Sequence, residues 1–292
     1  MAWILLTIFA AMVQAIRTAA QKRILDRLSP WGATYVRYLF AMPLVLIYYT
    51  IAAGQQWRTT IFSLQLVAVI ALGGFAQIIG TWALIKTFAT RNFAVGSAFS
   101  KTEALQAALI GSFLLGIPLS SIGWLAIGVS LIGILCLMVP PETLRRASWL
   151  TPAAGYGLLS GAAFAISVLC VYQANRMSQL PPAAAGATTL AIMLPIQVFM
   201  LSVWLWLNQR GELRAVMKTW RAGLFIGAFS ALGSIGWFTA MSLQNPALVR
   251  TLGQIEFLFT LLITWFFFNE VIRRREILGI SIIMVSIVLL LL

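Results

Sequence analysis

The 292-residue chain is 61% hydrophobic and only 9% charged, with a mean hydropathy of +0.95. A soluble domain normally has about a quarter of its residues charged, so this composition cannot cover a surface in water and reads as a polytopic α-helical membrane protein. The formal charge of +13 sits mostly in short gaps between apolar runs, where it orients a chain in a bilayer and is no signal for nucleic acid.

The apolar runs are continuous, which excludes a β-barrel built of alternating segments of about ten residues. Cys136 and Cys170 both lie in apolar runs and read as small buried residues, not as a disulfide or metal pair. There is no histidine, which removes the commonest metal ligand and proton switch. The N-terminus, MAWILLTIFAAMVQAIR, lacks the basic n-region of a signal peptide and reads as the first span.

A span needs roughly 20 apolar residues. That length predicts ten, at about 2–20, 32–53, 63–86, 93–115, 121–139, 151–174, 184–207, 221–243, 247–268 and 276–292. The breaks carry turn chemistry or charge: Ser29-Pro30, Gly54-Gln55-Gln56, Arg91-Asn92, Gly116-Ile117-Pro118, Pro140-Pro141, Pro181-Pro182, Gln209-Arg210-Gly211, Asn245-Pro246 and Arg273-Arg274-Arg275. No gap is long enough for a soluble domain.

The sequence repeats at an offset of 153, pairing Arg23 with Arg176, Gly74 with Gly227, Gly80 with Gly233, Asn92 with Asn245 and Glu103 with Glu256. The predicted units are therefore five-span copies, 1–146 and 147–292. An odd number of spans per copy forces the second copy to be inverted. The basic residues agree. Loops after odd spans hold Lys22, Arg23, Arg27, Lys86, Arg91, Arg145, Arg146, Arg210, Arg214, Lys218, Arg221 and Arg273 to Arg275. Loops after even spans hold Arg58 and Arg176, with Arg250 at a span edge. The positive-inside rule then puts the odd loops in the cytoplasm and both termini outside. Inverted repeats with polar groups at the midplane point to alternating access.

The fourth span, AVGSAFSKTEALQAALIGSFLL from Ala94 to Leu115, is long enough to cross as one helix yet carries Lys101 and Glu103 near its middle. The ninth, ALVRTLGQIEFLFTLLITWFFF from Ala247 to Phe268, places Glu256 at the equivalent point. Ionisable groups at membrane depth are costly, and each is a functional hypothesis by default. Lys101 and Glu103 are two residues apart, so they face different ways and each needs a partner on another helix, ordered water or a substrate. Lys101 aligns with Gln254, and Ser97 with Arg250; within each copy Ser97 and Lys101, or Arg250 and Gln254, are spaced i, i+4 and form a polar stripe.

The bland alternatives are a structural carboxylate at a helix crossing for Glu103 and Glu256, and snorkelling for Arg250. Gln14 and Arg17 share a face of the first span, where Arg17 also reads as an interface anchor. Arg37 lies deeper in span two. Gln77, Trp82 and Trp237 are candidates to line a pocket, against the common placement of Trp at interfaces. Gly73, Gly74, Gly80, Gly227, Gly233 and Gly236 read as close-packing positions.

There is no Walker motif or Gly-rich phosphate loop, so this chain alone does not read as an ATP-driven pump. No cofactor or metal site is expected, and no His-Asp or Ser-His arrangement points to an intramembrane enzyme.

LFTLLITWFFFNEVIRRREILGISIIMVSIVLLLL resembles the end of a repeat in the EamA-type drug/metabolite transporter superfamily. Asn269-Glu270 stands where Gly-Glu is usual, and Gly279 opens the last span. In copy one, LIGSFLLGIPLSSIGWLAIGVSLIGILCLM keeps Gly116 but lacks the Glu and the basic residues. The resemblance implies ten helices as two inverted five-helix repeats around a central cavity lined largely by spans three and four of each copy. It also implies secondary transport of small metabolites, as in the YddG-type aromatic amino-acid exporters. The small four-helix multidrug relatives use a Glu in their first span; here that span has Gln14 and Arg17 and no acid, which argues against proton/cationic-drug antiport by that route.

The expectation is a bacterial inner-membrane exporter of amino acids or related metabolites, working as a monomer in the lipid bilayer, with Lys101 suited to a carboxylate and a Glu to an ammonium. The alternatives are an organic-anion, sugar-phosphate or broad-specificity drug carrier, favoured if Arg17, Arg37, Lys101 and Arg250 converge, and a non-transporting receptor or assembly protein.

Overall fold

A computed structural model describes residues 1–54, 63–88, 93–139, 151–268 and 274–291, with backbone alone at 88, 93–95 and 263–268. The expected breaks at Arg91-Asn92 and Pro140-Pro141, the Asn269-Glu270 pair, and Arg58, Arg145, Arg146 and Arg273 fall outside the described residues.

Among the described residues every regular element is helical. In chain order they are α1 (Ala2–Ile24), α2 (Pro30–Leu39), α3 (Met42–Ala53), α4 (Leu64–Phe88), α5 (Phe93–Ser100), α6 (Glu103–Leu114), α7 (Ser121–Met138), α8 (Pro152–Met177), α9 (Pro182–Asn208), α10 (Arg210–Lys218), α11 (Trp220–Leu243), α12 (Pro246–Leu252), α13 (Glu256–Phe268) and α14 (Arg274–Leu291). A 3-10 turn, Gly253–Ile255, joins α12 to α13.

The helix starts are legible in the sequence. The Ser29 and Ser120 hydroxyls accept the backbone N–H of Gly32 and Gly123 at the heads of α2 and α7. Asn245 caps α12 through the Ala247 N–H, with Pro246 in the first turn.

Among the described residues, seven stretches of helix are long and apolar enough to cross a membrane: Ala2–Ile24, Pro30–Ala53, Leu64–Thr87, Ser121–Met138, Pro152–Met177, Pro182–Asn208 and Trp220–Leu243. The other three spans expected from the sequence differ for physical reasons. The fourth and ninth are not single helices: each is interrupted at its charged centre. The tenth, α14, begins with Arg274, Arg275 and Glu276.

The expected offset of 153 also relates the element boundaries. Added to the bounds of α7 it gives those of α14, and α5 and α6 map in the same way onto α12 and α13 to within a residue. The counterpart of α10 falls largely in the undescribed residues 55–62.

The chain divides into two compact units, each drawing on both halves of the sequence. One comprises Met1–Ile78 and Ser167–Gln244, the other Ile79–Ile166 and Asn245–Leu292. A sequence repeat need not be a compact unit, because spans of one copy can pack on spans of the other.

In the first unit α1 packs along α11, and α9 packs against α3, α2 and α11. A Cβ at Gly236 would meet Ala10 Cβ at 2.9 Å, and one at Gly227 would meet the backbone of Phe40. These are the close approaches expected of small residues between membrane helices.

In the second unit α7 packs along α14, α6 against α12. Ser286 Oγ donates to the Ala126 carbonyl at 2.8 Å, and a Cβ at Gly279 would lie 2.8 Å from Leu137 N and 2.9 Å from Gly133 O. Both contacts are to backbone, which cannot rotate away. Gly279→Val is therefore expected to lower the thermal unfolding midpoint in detergent by several degrees, about 1–3 kcal/mol of overpacking. Gly128→Val is the control, since a Cβ there meets nothing within 4 Å. Equal losses at both sites would mean that helix pairing is not the cause.

Candidate functional site: two interrupted helices and crossed ion pairs

The fourth span is divided by a turn at Lys101–Thr102. Thr102 explains the interruption. Its hydroxyl donates to the Phe99 carbonyl at 2.6 Å, and its backbone N–H bonds the same carbonyl at 3.1 Å, an i to i−3 pattern that displaces the α-helical ladder. Gln106 Nε2 then donates to Thr102 Oγ1 at 2.7 Å and holds the hydroxyl in place.

The ninth span is divided at the equivalent point by the 3-10 turn Gly253–Ile255. Glycine is a poor helix former. In addition, Thr251 Oγ1 bonds back to the Ala247 carbonyl at 2.8 Å.

Each interruption creates a helix end in the middle of a span. Glu103 opens α6 and Glu256 opens α13; Lys101 follows the end of α5 and Arg250 lies in the last turn of α12. Every one of these charges has the sign its helix end favours.

The pairing is crossed between the two interrupted spans. Lys101 Nζ donates to Glu256 Oε2 at 2.7 Å, and Arg250 Nε lies 2.8 Å from Glu103 Oε1. The glutamate of each repeat thus takes its cation from the other. Lys101 also sits 5.2 Å from the centroid of the Phe257 ring. Glu103, Arg250 and Glu256 side chains are only 10–13% exposed, whereas Lys101 keeps 21% and is the reachable member.

Of the three kinds of partner expected for Lys101 and Glu103, a side chain on another helix is the one this arrangement supplies. Arg250 pairs with Glu103 here, where the sequence also allowed it to snorkel. Gln254 is buried in the 3-10 turn, with Lys101 lining the same small cavity.

The remaining sequence candidates make other contacts. Trp82 belongs to the same unit and meets Tyr156 edge-on, with ring centroids 5.8 Å apart. The other candidates, Gln14, Arg17, Arg37, Gln77 and Trp237, belong to the first unit. Trp237 Nε1 donates to Gln14 Oε1 at 3.0 Å, joining α11 to α1. Gln77 Oε1 accepts from Gln197 Nε2 at 2.9 Å, and its carbonyl accepts from Tyr38. Arg17 and Arg37 are buried. Burial of Arg17 is unlike a snorkelling anchor.

Two polar clusters escaped the sequence reading. Asn175 donates to the Phe238 carbonyl and Ser242 and accepts from Thr189, tying α8 to α11 and α9. The signal was a lone Asn inside an apolar span. Near the interrupted fourth span, Ser160 Oγ donates to the Gly80 carbonyl at 2.9 Å, which leaves Ser100 as donor in the 3.0 Å Ser100–Ser160 bond.

Two cavities adjoin the interruption. One is open, about 500 Å³, with Phe99, Gln106 and Leu158 among its walls. The other is smaller, about 10 Å³. Thr102 and Leu105 line both. Among the described residues no cluster of three His, Cys, Asp or Glu side chains is positioned to hold a metal ion, and both cysteines are free.

Removing one member of a buried pair strands the other, whereas replacing both by apolar groups is often neutral. Lys101→Met is expected to cost about 2 kcal/mol, less than a fully buried pair because the lysine is partly exposed. Lys101→Met with Glu256→Leu should recover most of it. Unfolding in mixed micelles measures both; a double variant no more stable than the single would show that the pair is not what holds these helices.

The sequence was compared with known proteins. No curated protein matches it. One solved structure, described as "Crystal structure of protein", aligns over 99% of this chain and 98% of its own, with a TM-score of 0.71 and 15% identity, a likeness of fold alone. The model of the EamA-like transporter family matches residues 1–139 and again 153–292. With almost the whole chain accounted for in two family matches, and each carrying one interrupted, charge-centred helix, the chain belongs to the EamA-like transporter family.

Proposed function

We propose that the protein is a secondary active transporter that exports amino acids or related small metabolites across a bacterial inner membrane by alternating access. Its ten spans form two inverted five-span repeats, 1–146 and 147–292, with both termini periplasmic. The chain works as a monomer, since both repeats are present in one polypeptide.

The observation that carries this reading is the pair of crossed ion pairs at two helix interruptions. Half-helix ends at membrane depth are where secondary transporters hold charged substrate groups. Here the ends carry their own charges, two cations and two carboxylates, and these neutralise one another. A zwitterion entering between Lys101 and Glu256 replaces both partners, carboxylate to ammonium and ammonium to carboxylate. A simple anion would bind the lysine and strand the glutamate, an uncompensated buried charge that costs several kcal/mol. Charge balance thus favours an amino acid over the organic-anion and sugar-phosphate alternative.

In this reading Lys101 and Glu256 contact the substrate, being the pair with the more exposed cation. Arg250 and Glu103 hold the second interruption, and Gln254 orients the 3-10 turn. Gln14, Arg17, Gln77, Trp82 and Trp237 contribute to binding or gating.

Purified protein in liposomes should exchange radiolabelled neutral amino acids, and Lys101→Met/Glu256→Leu should lower exchange at least tenfold while remaining folded. No exchange across a panel of amino acids by wild type, or full exchange by the double variant, would overturn the proposal. Single cysteines placed at each terminus in a Cys136→Ala, Cys170→Ala background should react with an impermeant maleimide added to intact cells; cytoplasmic termini would react only after permeabilisation.

A further inference from the structure

Two buried polar atoms beside the ion pairs have no hydrogen-bond partner in the protein. Ser130 Oγ, on α7, belongs to a residue 3% exposed, and Gln254 Oε1, in the 3-10 turn, to one 4% exposed. A buried polar atom left dry costs about 1–3 kcal/mol. A helical serine usually turns its hydroxyl back to the carbonyl four residues earlier. For Ser130 that is Ala126 O, which already accepts Ser286 Oγ at 2.8 Å.

Both residues line the same small cavity of about 10 Å³, together with Lys101. That is the room one water centre needs and no more. The ammonium of Lys101 has three hydrogens, of which Glu256 Oε2 takes one.

The structure assigns to this cavity a single bound water. It donates to Gln254 Oε1 and to Ser130 Oγ and accepts from the Lys101 ammonium. Either orientation of the Gln254 amide is satisfied by water. A cation is excluded by the lysine in the wall, and a chloride ion by size. The water joins α7 to both interruptions and gives the lysine a second partner. This inference rests on the two orphaned atoms and not on any transport activity, so it stands or falls separately from the proposed function.

An experimental map fine enough to show ordered water should have a peak within hydrogen-bond distance of Ser130 Oγ and Gln254. An empty cavity, or the two side chains bonded directly to each other, would overturn the assignment. Stability gives an independent answer. In a dry cavity, removing an orphaned hydroxyl stabilises the protein. Around a shared water, Ser130→Ala and Gln254→Met should each lower the unfolding midpoint in detergent by a few degrees, and the double variant by less than their sum. A raised or unchanged midpoint in either single variant, or strict additivity in the double, would refute the shared water.

Discussion

A charge cannot sit alone in a low-dielectric interior, and this constraint organises the charged half of the fold. Four ionised side chains lie in two spans that are otherwise almost wholly apolar. They are tolerated because each has an opposite charge within 3 Å and a helix end of complementary sign beside it. The helix interruptions are part of the same solution. An unbroken helix offers no exposed N–H or C=O groups at mid-span, whereas a broken one offers both.

The crossed pattern has a mechanical consequence. If each glutamate were satisfied within its own repeat, the two interrupted spans would be free to part. Because the glutamate of α6 depends on the cation of α12, and that of α13 on the lysine after α5, neither span can shift without loosening the other. On the proposed reading, the ends of a zwitterion would replace the partners and loosen the spans without leaving charges bare, so that occupancy would be linked to helix position through electrostatics.

Small residues carry the rest of the packing. Gly133 and Gly279 let α7 and α14 approach backbone to backbone, and Gly227 and Gly236 do the same for α11 against Phe40 and Ala10. In lipid, helices gain little from hiding apolar surface, so contact area and a few interhelical hydrogen bonds decide which pairs form. The bonds from Ser286 to Ala126, Asn175 to Phe238 and Trp237 to Gln14 are of this type.

Sequence alone was enough for the membrane class, the repeat offset and the identity of the charged residues, because hydropathy, length and charge at membrane depth are local properties. Glu103 and Glu256 were legible as equivalents, and so was the need of Lys101 for a partner, whether on another helix, in ordered water or in a substrate. What only the tertiary structure decided was who that partner is: the repeats cross-pair, and Arg250 turns inward to Glu103. It also decided that the fourth and ninth spans are broken. Their apolar length fits one helix each, and the Thr102 hydroxyl takes the Phe99 carbonyl with Gln106, four residues on, holding it in place. Pairings between residues some 150 positions apart depend on which faces of which helices meet, and that geometry is written in no single stretch of the chain.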